Sequence, residues 1–251
     1  MHSGIYARVK YRAVAFDIDG TLYPSLGLYL KNIGFGLRHF RVLMKFSKVR
    51  HDLHALAMDK AARPGLPRDL AGFRSLQARL LAESCGMTEA EAAAWVESVM
   101  YGELEDFFST ITLFPGVEGA LKALSSAGLK LAALSDFPAP NKLRHIGLEG
   151  FFEVAMSSEE SGILKPAPEP FLDMARRLGV EAADILYVGN SPGLDIAGAH
   201  GVGMDAALRG GSPIKHLIRE PYAPRVKGKE RGPEPELVFS DWKDLVAFAL
   251  K

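Results

Sequence analysis

The sequence predicts an α/β fold, a doubly wound parallel sheet into which a helical domain is inserted. Three observations predict it. Short apolar runs near residues 13–17, 130–134, 153–156, 185–189 and 203–207 alternate with helical stretches, the pattern of strands joined by crossover helices. Between Leu22 and Leu113 the pattern turns wholly helical, with breaks at Pro64-Gly65-Leu66-Pro67 and Gly86. Residues able to do chemistry recur at the carboxyl ends of the strands, the edge at which ligands bind in such sheets. The expected division is a discontinuous core of residues 1–22 and 113–251 and a helical domain of residues 23–112.

The first strand is Ala13-Val14-Ala15-Phe16, and it runs into Asp17-Ile18-Asp19-Gly20-Thr21-Leu22. Residues two apart on a strand share a face, so Asp17 and Asp19 can approach one substrate atom. Gly20 then allows a sharp turn. One carboxylate can serve as nucleophile while its neighbour moves the proton, and a divalent cation is needed to hold both beside an anionic substrate. Acids capping an ordinary turn would give the same motif.

The second strand, Leu129 to Leu134, ends in Ser135-Asp136-Phe137 and a turn with Pro138 and Pro140. The Ser135 hydroxyl and the backbone N–H groups that follow, beginning with Asp136, are placed to hold phosphate oxygens; a plain strand-to-loop turn accounts for them equally well. Lys165-Pro166-Ala167-Pro168-Glu169-Pro170-Phe171 reads as the approach to a helix, because proline is tolerated in a first helical turn. An ammonium fixed there could neutralise a nucleophile and a transferring phosphoryl group, although a lone lysine in such a place is commonly a surface residue. A buried strand, Ile185 to Gly189, leads to Asn190-Ser191-Pro192-Gly193-Leu194-Asp195. Asn190 and Asp195 offer oxygen donors that suit a hard cation, and helix capping is the competing role for Asp195.

In this order the four segments resemble the haloacid dehalogenase superfamily of aspartyl-nucleophile hydrolases, over about residues 12–22 and 113–208. The resemblance implies a Rossmann-like core with a helical cap of the C1 type at 23–112. It implies Asp17 as nucleophile and magnesium ligand, and Asp19 as general acid/base whose backbone carbonyl also meets the metal. It further implies Ser135, with Asp136, as the phosphate-holding segment, Lys165 as the charge-stabilising lysine, and Asn190 and Asp195 as completing the metal site. Where the family usually has Gly-Asp, this chain has Gly189-Asn190, one negative charge fewer. An acid at position 19 favours a phosphatase over a dehalogenase, since halide displacement from carbon leaves no alkoxide to protonate.

The expected activity is therefore magnesium-dependent hydrolysis of a small phosphomonoester through a phospho-aspartate. A phosphomutase and a catalytically weak phospholigand-binding protein are the alternatives. The substrate and the oligomeric state are not legible in the sequence.

At 251 residues and 48% hydrophobic composition the chain can bury a sizeable core. A formal net charge of zero points to no nucleic-acid partner. One cysteine, Cys85, excludes an intrachain disulfide. The absence of a signal-peptide core and of any apolar run of about 18 residues leads us to expect a cytoplasmic protein without stable membrane association. Residues 31–79 carry eleven Lys/Arg against three acids, which solvated helix faces explain, or a basic surface that attracts anionic substrate. His51 and His54 lack a second pair of ligands for zinc. Gly201-Val202-Gly203-Met204-Asp205-Ala206 enters a strand rather than opening a helix, so its dinucleotide-binding reading is weak. Residues 209–236, rich in Gly, Pro and charge, read as a long surface loop.

Overall fold

The structure is a computed structural model, which describes residues 10–24, 33–104, 107–210 and 234–251. Most of the expected 209–236 loop lies outside the described residues. Six parallel strands form one sheet: β1 Ala13–Phe16, β2 Lys130–Ser135, β3 Val154–Ser157, β4 Ile185–Gly189, β5 Asp205–Arg209 and β6 Leu237–Phe239, in the order β3-β2-β1-β4-β5-β6. The chain reverses direction across the sheet at β1, between β2 and β4, which makes the carboxyl ends of these three strands the switch point.

Alternation along β1 shows why helices must cover both faces. Val14 and Phe16 pack with α4 (Val117–Ser126) and α8 (Trp242–Ala249), while Ala13 and Ala15 join the opposite layer against α6 (Pro168–Leu178) and α7 (Ala197–Gly201). All four are fully buried. Alanine on the second face lets Phe171 and Tyr187 approach, with ring centroids 5.0 Å apart. Gly198 on α7 leaves room for the Phe171 ring, which a Cβ would meet at 2.4 Å. Burying each large apolar side chain of this kind contributes roughly 1.5–3 kcal/mol.

Two boundaries differ from the sequence expectation. The strand expected at 203–207 begins at Asp205, because Gly203 adopts φ +81° and closes the turn that ends α7. Leu237–Phe239, directly after the expected loop, is a sixth strand that the sequence pattern did not predict. Its register, Ala207 with Leu237 through Arg209 with Phe239, joins residues separated by the glycine- and proline-rich segment, a pairing that local pattern does not encode.

Between β1 and α4 the chain forms α1 (Ile33–Met58), α2 (Leu70–Cys85), α3 (Glu89–Trp95) and a π-helical turn, Val96–Glu103. Asp69 caps α2 and Gly86 ends it in the left-handed region, while Thr88 and Glu91 form a capping box on α3. These helices have a core of their own, including Phe46, Val49, Leu53, Phe73 and Leu81. Leu164 and Phe137 from the strand-end loops also pack into it. Among the described residues no helix is long and apolar enough to cross a membrane.

Candidate active site

The site residues expected from the sequence, Asp17, Asp19, Ser135, Asp136, Lys165, Asn190 and Asp195, lie at the carboxyl edge of β1, β2 and β4 or in the loop before α6. Asp17 immediately follows β1, and its N–H bonds to the Val188 carbonyl at 2.9 Å, so the strand pairing itself fixes its backbone. Its Oδ1 accepts from Lys165 Nζ at 2.8 Å, and Oδ2 accepts from Thr21 Oγ1 at 2.7 Å. Gly20, at φ +83°, turns the chain back so that Thr21 reaches Asp17 and Tyr23 reaches Asp19.

Lys165 is buried and bridges two carboxylates, with Asp195 Oδ1 also at 2.8 Å. Asp195 Oδ2 in turn accepts from the backbone N–H groups of Asn190 and Ser191 at 3.1 and 2.9 Å. Three donors leave the Asp195 carboxylate about one lone pair for anything else. Gly189 is required beneath it, since a Cβ there would sit 2.3 Å from the Asp195 Cβ. The Asn190 side chain lies against the Asp19 carbonyl, Nδ2 to O at 3.2 Å.

The two motif acids differ in charge state. Burial pushes the Asp17 carboxyl up to about 8; Lys165 opposes the rise, whereas the charges of Asp195 and Asp19 add to it. Burial would raise Asp19 too, but the Lys142 ammonium and hydrogen bonds from Lys142, Tyr23 and Ser135 hold it below the usual carboxylate range. Burial would lower Lys165, yet Asp17 and Asp195 carry it well above the ordinary lysine value. One carboxyl thus favours its proton and the other its charge, a separation typical of acid/base sites.

Ser135, the last residue of β2, donates to Asp19 Oδ2 at 3.0 Å and accepts from Phe137 N and Lys142 Nζ. In this arrangement the hydroxyl serves Asp19. The Asp136 carboxylate accepts from Ser158 Oγ at 2.5 Å and faces His54 Nε2 at 3.5 Å, so its backbone N–H is what it can offer an anion. His54, set aside from the sequence as half of an incomplete zinc pair, is buried, with Nδ1 2.7 Å from the Lys165 carbonyl. His51 is turned toward its neighbour Asp52.

Sequence reasoning missed four participants. Thr21 and Tyr23 lie four residues after Asp17 and Asp19, a spacing that the turn at Gly20 explains. Lys142, 2% exposed, meets Asp19 Oδ2 at 2.5 Å, although a lysine in a short post-proline helix carries no local signal of burial. Arg50 of α1, 1% exposed, pairs with Glu159, 0% exposed, at 2.7 Å and donates to the Asp136 carbonyl and to Gln77, tying the helical layer to the β2 loop.

At the switch point of the parallel sheet two acids stand side by side, one against a bridging lysine and one against a hydroxyl, a constellation suited to a hydrolytic enzyme. The haloacid dehalogenase-like hydrolase family matches residues 11–203, and the chain belongs to that family. A Methanopyrus kandleri protein named glyceraldehyde 3-phosphate phosphatase is 30% identical over 212 residues, 77% of this chain and 81% of its own. A Haemophilus influenzae protein named phosphoglycolate phosphatase is 25% identical over 197 residues, 77% and 83% of the two chains. The solved 2-haloacid dehalogenase from Pseudomonas syringae pv. tomato is similar in fold, with a TM-score of 0.59 at 23% identity over 95% of this chain and 97% of that one. The protein is a hydrolase, and its relatives support a phosphatase function.

Proposed function

We propose that the chain hydrolyses a small phosphomonoester by way of a phospho-aspartate on Asp17. The observation that carries this reading is the pairing of Asp17 with Lys165 at 2.8 Å on one side of the turn and of Asp19 with Ser135 at 3.0 Å on the other. Asp17 Oδ would attack phosphorus, and Asp19 would give a proton to the departing alkoxide. Asp19 would then take a proton from the water that opens the acyl phosphate. Asp19 is held as the anion in the free protein, the form the second step requires. The arrival of a phosphate dianion raises its proton affinity for the first step. Lys165 and the N–H groups after Ser135 would hold the phosphoryl oxygens.

A magnesium ion fits the residues present. Two buried carboxylates, Asp17 and Asp195, share the one Lys165 ammonium, an excess of negative charge that a divalent cation would offset. The donors are hard oxygens, as magnesium prefers: the Asp17 carboxylate, the Asp19 carbonyl and the Asn190 amide, with Asp195 behind them. When bound, the ion supplies charge neutralisation at the phosphoryl oxygens. With Asn at position 190 it is held by one negative charge fewer.

In this reading residues 23–112 are a cap over a core of residues 1–22 and 113–251, and cap closure excludes bulk water. A phosphomutase would use the same two acids, and product analysis with a sugar phosphate separates it from a phosphatase. The substrates named for the relatives, glyceraldehyde 3-phosphate and phosphoglycolate, are the first candidates for a panel. The test is phosphate release from an aryl phosphate and from that panel, with magnesium or chelator, for the wild type and Asp17→Asn. Release that needs both the metal and Asp17 supports the reading. Ligand binding without release would instead favour a phospholigand-binding protein.

A further inference from the structure

We propose that Lys142 is a positioning residue for the acid/base carboxylate, aiming Asp19 at the departing oxygen of the substrate. The proposal rests on the phosphatase reading and deepens it. Three donors from three parts of the chain hold Asp19. Tyr23 donates to Oδ1 from the same turn; Ser135, at 3.0 Å from the end of β2, and Lys142, at 2.5 Å from helix α5 (Pro140–His145), both donate to Oδ2. Oδ2 is therefore the anchored oxygen. Oδ1, which among the described residues accepts one hydrogen bond, from Tyr23, and so keeps a lone pair, is the oxygen left to exchange a proton with the substrate.

The surroundings of Lys142 are built for this contact. Its Nζ lies 5.1 Å from the Phe108 ring centroid and 5.7 Å from that of Phe137, and also 3.3 Å from Ser135 Oγ. Aromatic faces stabilise a cation but direct it weakly, so the directional bonds go to Asp19 and Ser135. Phe108 belongs to the segment returning from the helical layer and Phe137 to the loop after β2, so the ammonium is enclosed where the layer meets the sheet. A flexible, strongly hydrated side chain is thereby fixed in one place, at a cost in entropy and desolvation that an exposed Lys–Asp pair would not carry.

The test compares two substrates that differ in their need for a proton. Nitrophenolate leaves as a stable anion, whereas an alkoxide such as that of a glycerol phosphate must be protonated as it departs. Lys142→Met is expected to lower kcat for the alkyl ester on the order of 100-fold more than for the aryl ester, with KM little changed for either. Lys142→Arg should restore part of the loss. In an Asp19→Asn background, where the carboxylate is already gone, Lys142→Met should change kcat less than about threefold. This comparison also serves if the single variant fails to fold, since the double variant leaves no orphaned charge.

Equal losses on both substrates, a raised KM at constant kcat, or a further tenfold loss in the Asp19→Asn background would each overturn the proposal. No phosphate release by the wild type would instead sink the phosphatase reading itself.

Discussion

The Arg50–Glu159 pair tests whether the helical layer is docked on the sheet as described. Arg50 gives Nη1 to Glu159 and Gln77 at 2.7 and 2.9 Å, gives Nη2 to the Asp136 carbonyl, and stacks 4.3 Å from the Phe137 ring. Arg50→Met keeps most of the apolar stem but leaves Glu159 buried with the Tyr101 hydroxyl, at 2.9–3.0 Å, as its remaining donor among the described residues. Breaking a buried pair from one side costs about 3–5 kcal/mol, a large share of the roughly 5–15 kcal/mol that holds a domain folded. Burial already raises the Glu159 carboxyl above its ordinary value, with Arg50 pulling it down, so loss of Arg50 raises it further. A carboxyl raised in the folded state contributes stability that is present at low pH and lost as pH rises through the folded value. The variant should therefore be less impaired at pH 5 than at pH 8. Arg50→Met with Glu159→Gln should recover about half the loss, because no unpaired charge remains. Urea unfolding followed by circular dichroism at both pH values reads all three quantities. A single-variant loss below about 1 kcal/mol, or a double variant as impaired as the sum of its singles, would refute the buried pair.

Further outcomes follow from the same geometry. Gly189→Ala would force the Asp195 carboxylate to move by about 1 Å to reach ordinary contact, loosening Lys165; we expect a kcat loss on the order of 100-fold with about 1–3 kcal/mol of destabilisation, measured by steady-state kinetics and urea unfolding. The raised Asp17 carboxyl predicts that metal-free protein loses stability as pH climbs from its unfolded value near 4 toward about 8, since the folded state holds the proton that the unfolded state has released. Magnesium competes with that proton, so the melting-temperature increase at a fixed low magnesium concentration should be larger at pH 8 than at pH 6; a pH-independent increase would place the ion away from Asp17. Asn190→Asp adds a carboxylate beside the Asp19 carbonyl and should tighten magnesium on the order of tenfold in the same titration. An unchanged affinity would remove residue 190 from the metal site.

The parallel sheet was legible because β1, β2 and β4 are short, largely apolar runs buried but for Lys130 at the start of β2, and because each ends where the chemistry-bearing residues begin. The same logic places Asp17, Asp19, Ser135, Lys165, Asn190 and Asp195 at one edge from the sequence alone. What escaped depends on contacts between distant segments. Lys142 and Asp19 are 123 residues apart, and Arg50 and Glu159 are 109 apart. Nothing in the local pattern of a basic helix distinguishes a buried arginine from the solvated ones beside it. Strand β6 escaped for a related reason, since three residues after a long polar segment become a strand only by pairing with β5. Asp136 shows the converse: its position after Ser135 was legible, but the use of its carboxylate by Ser158 and His54 was not.

The fold alone does not choose the reaction, for a solved haloacid dehalogenase is similar in fold at a TM-score of 0.59. The choice lies in what surrounds the second acid. Displacing halide from carbon expels an anion that needs no proton, so a carboxylate at position 19 would have no partner in that chemistry and would add unwanted charge near the nucleophile. Here three donors converge on Asp19, and one is a buried ammonium whose desolvation must be offset by the pair it forms. An alkoxide leaving group makes sense of that expense, because it gives the anchored carboxylate a proton to deliver and then water to activate. The arrangement around Asp19, more than the sheet beneath it, is what argues for a phosphate ester as the substrate.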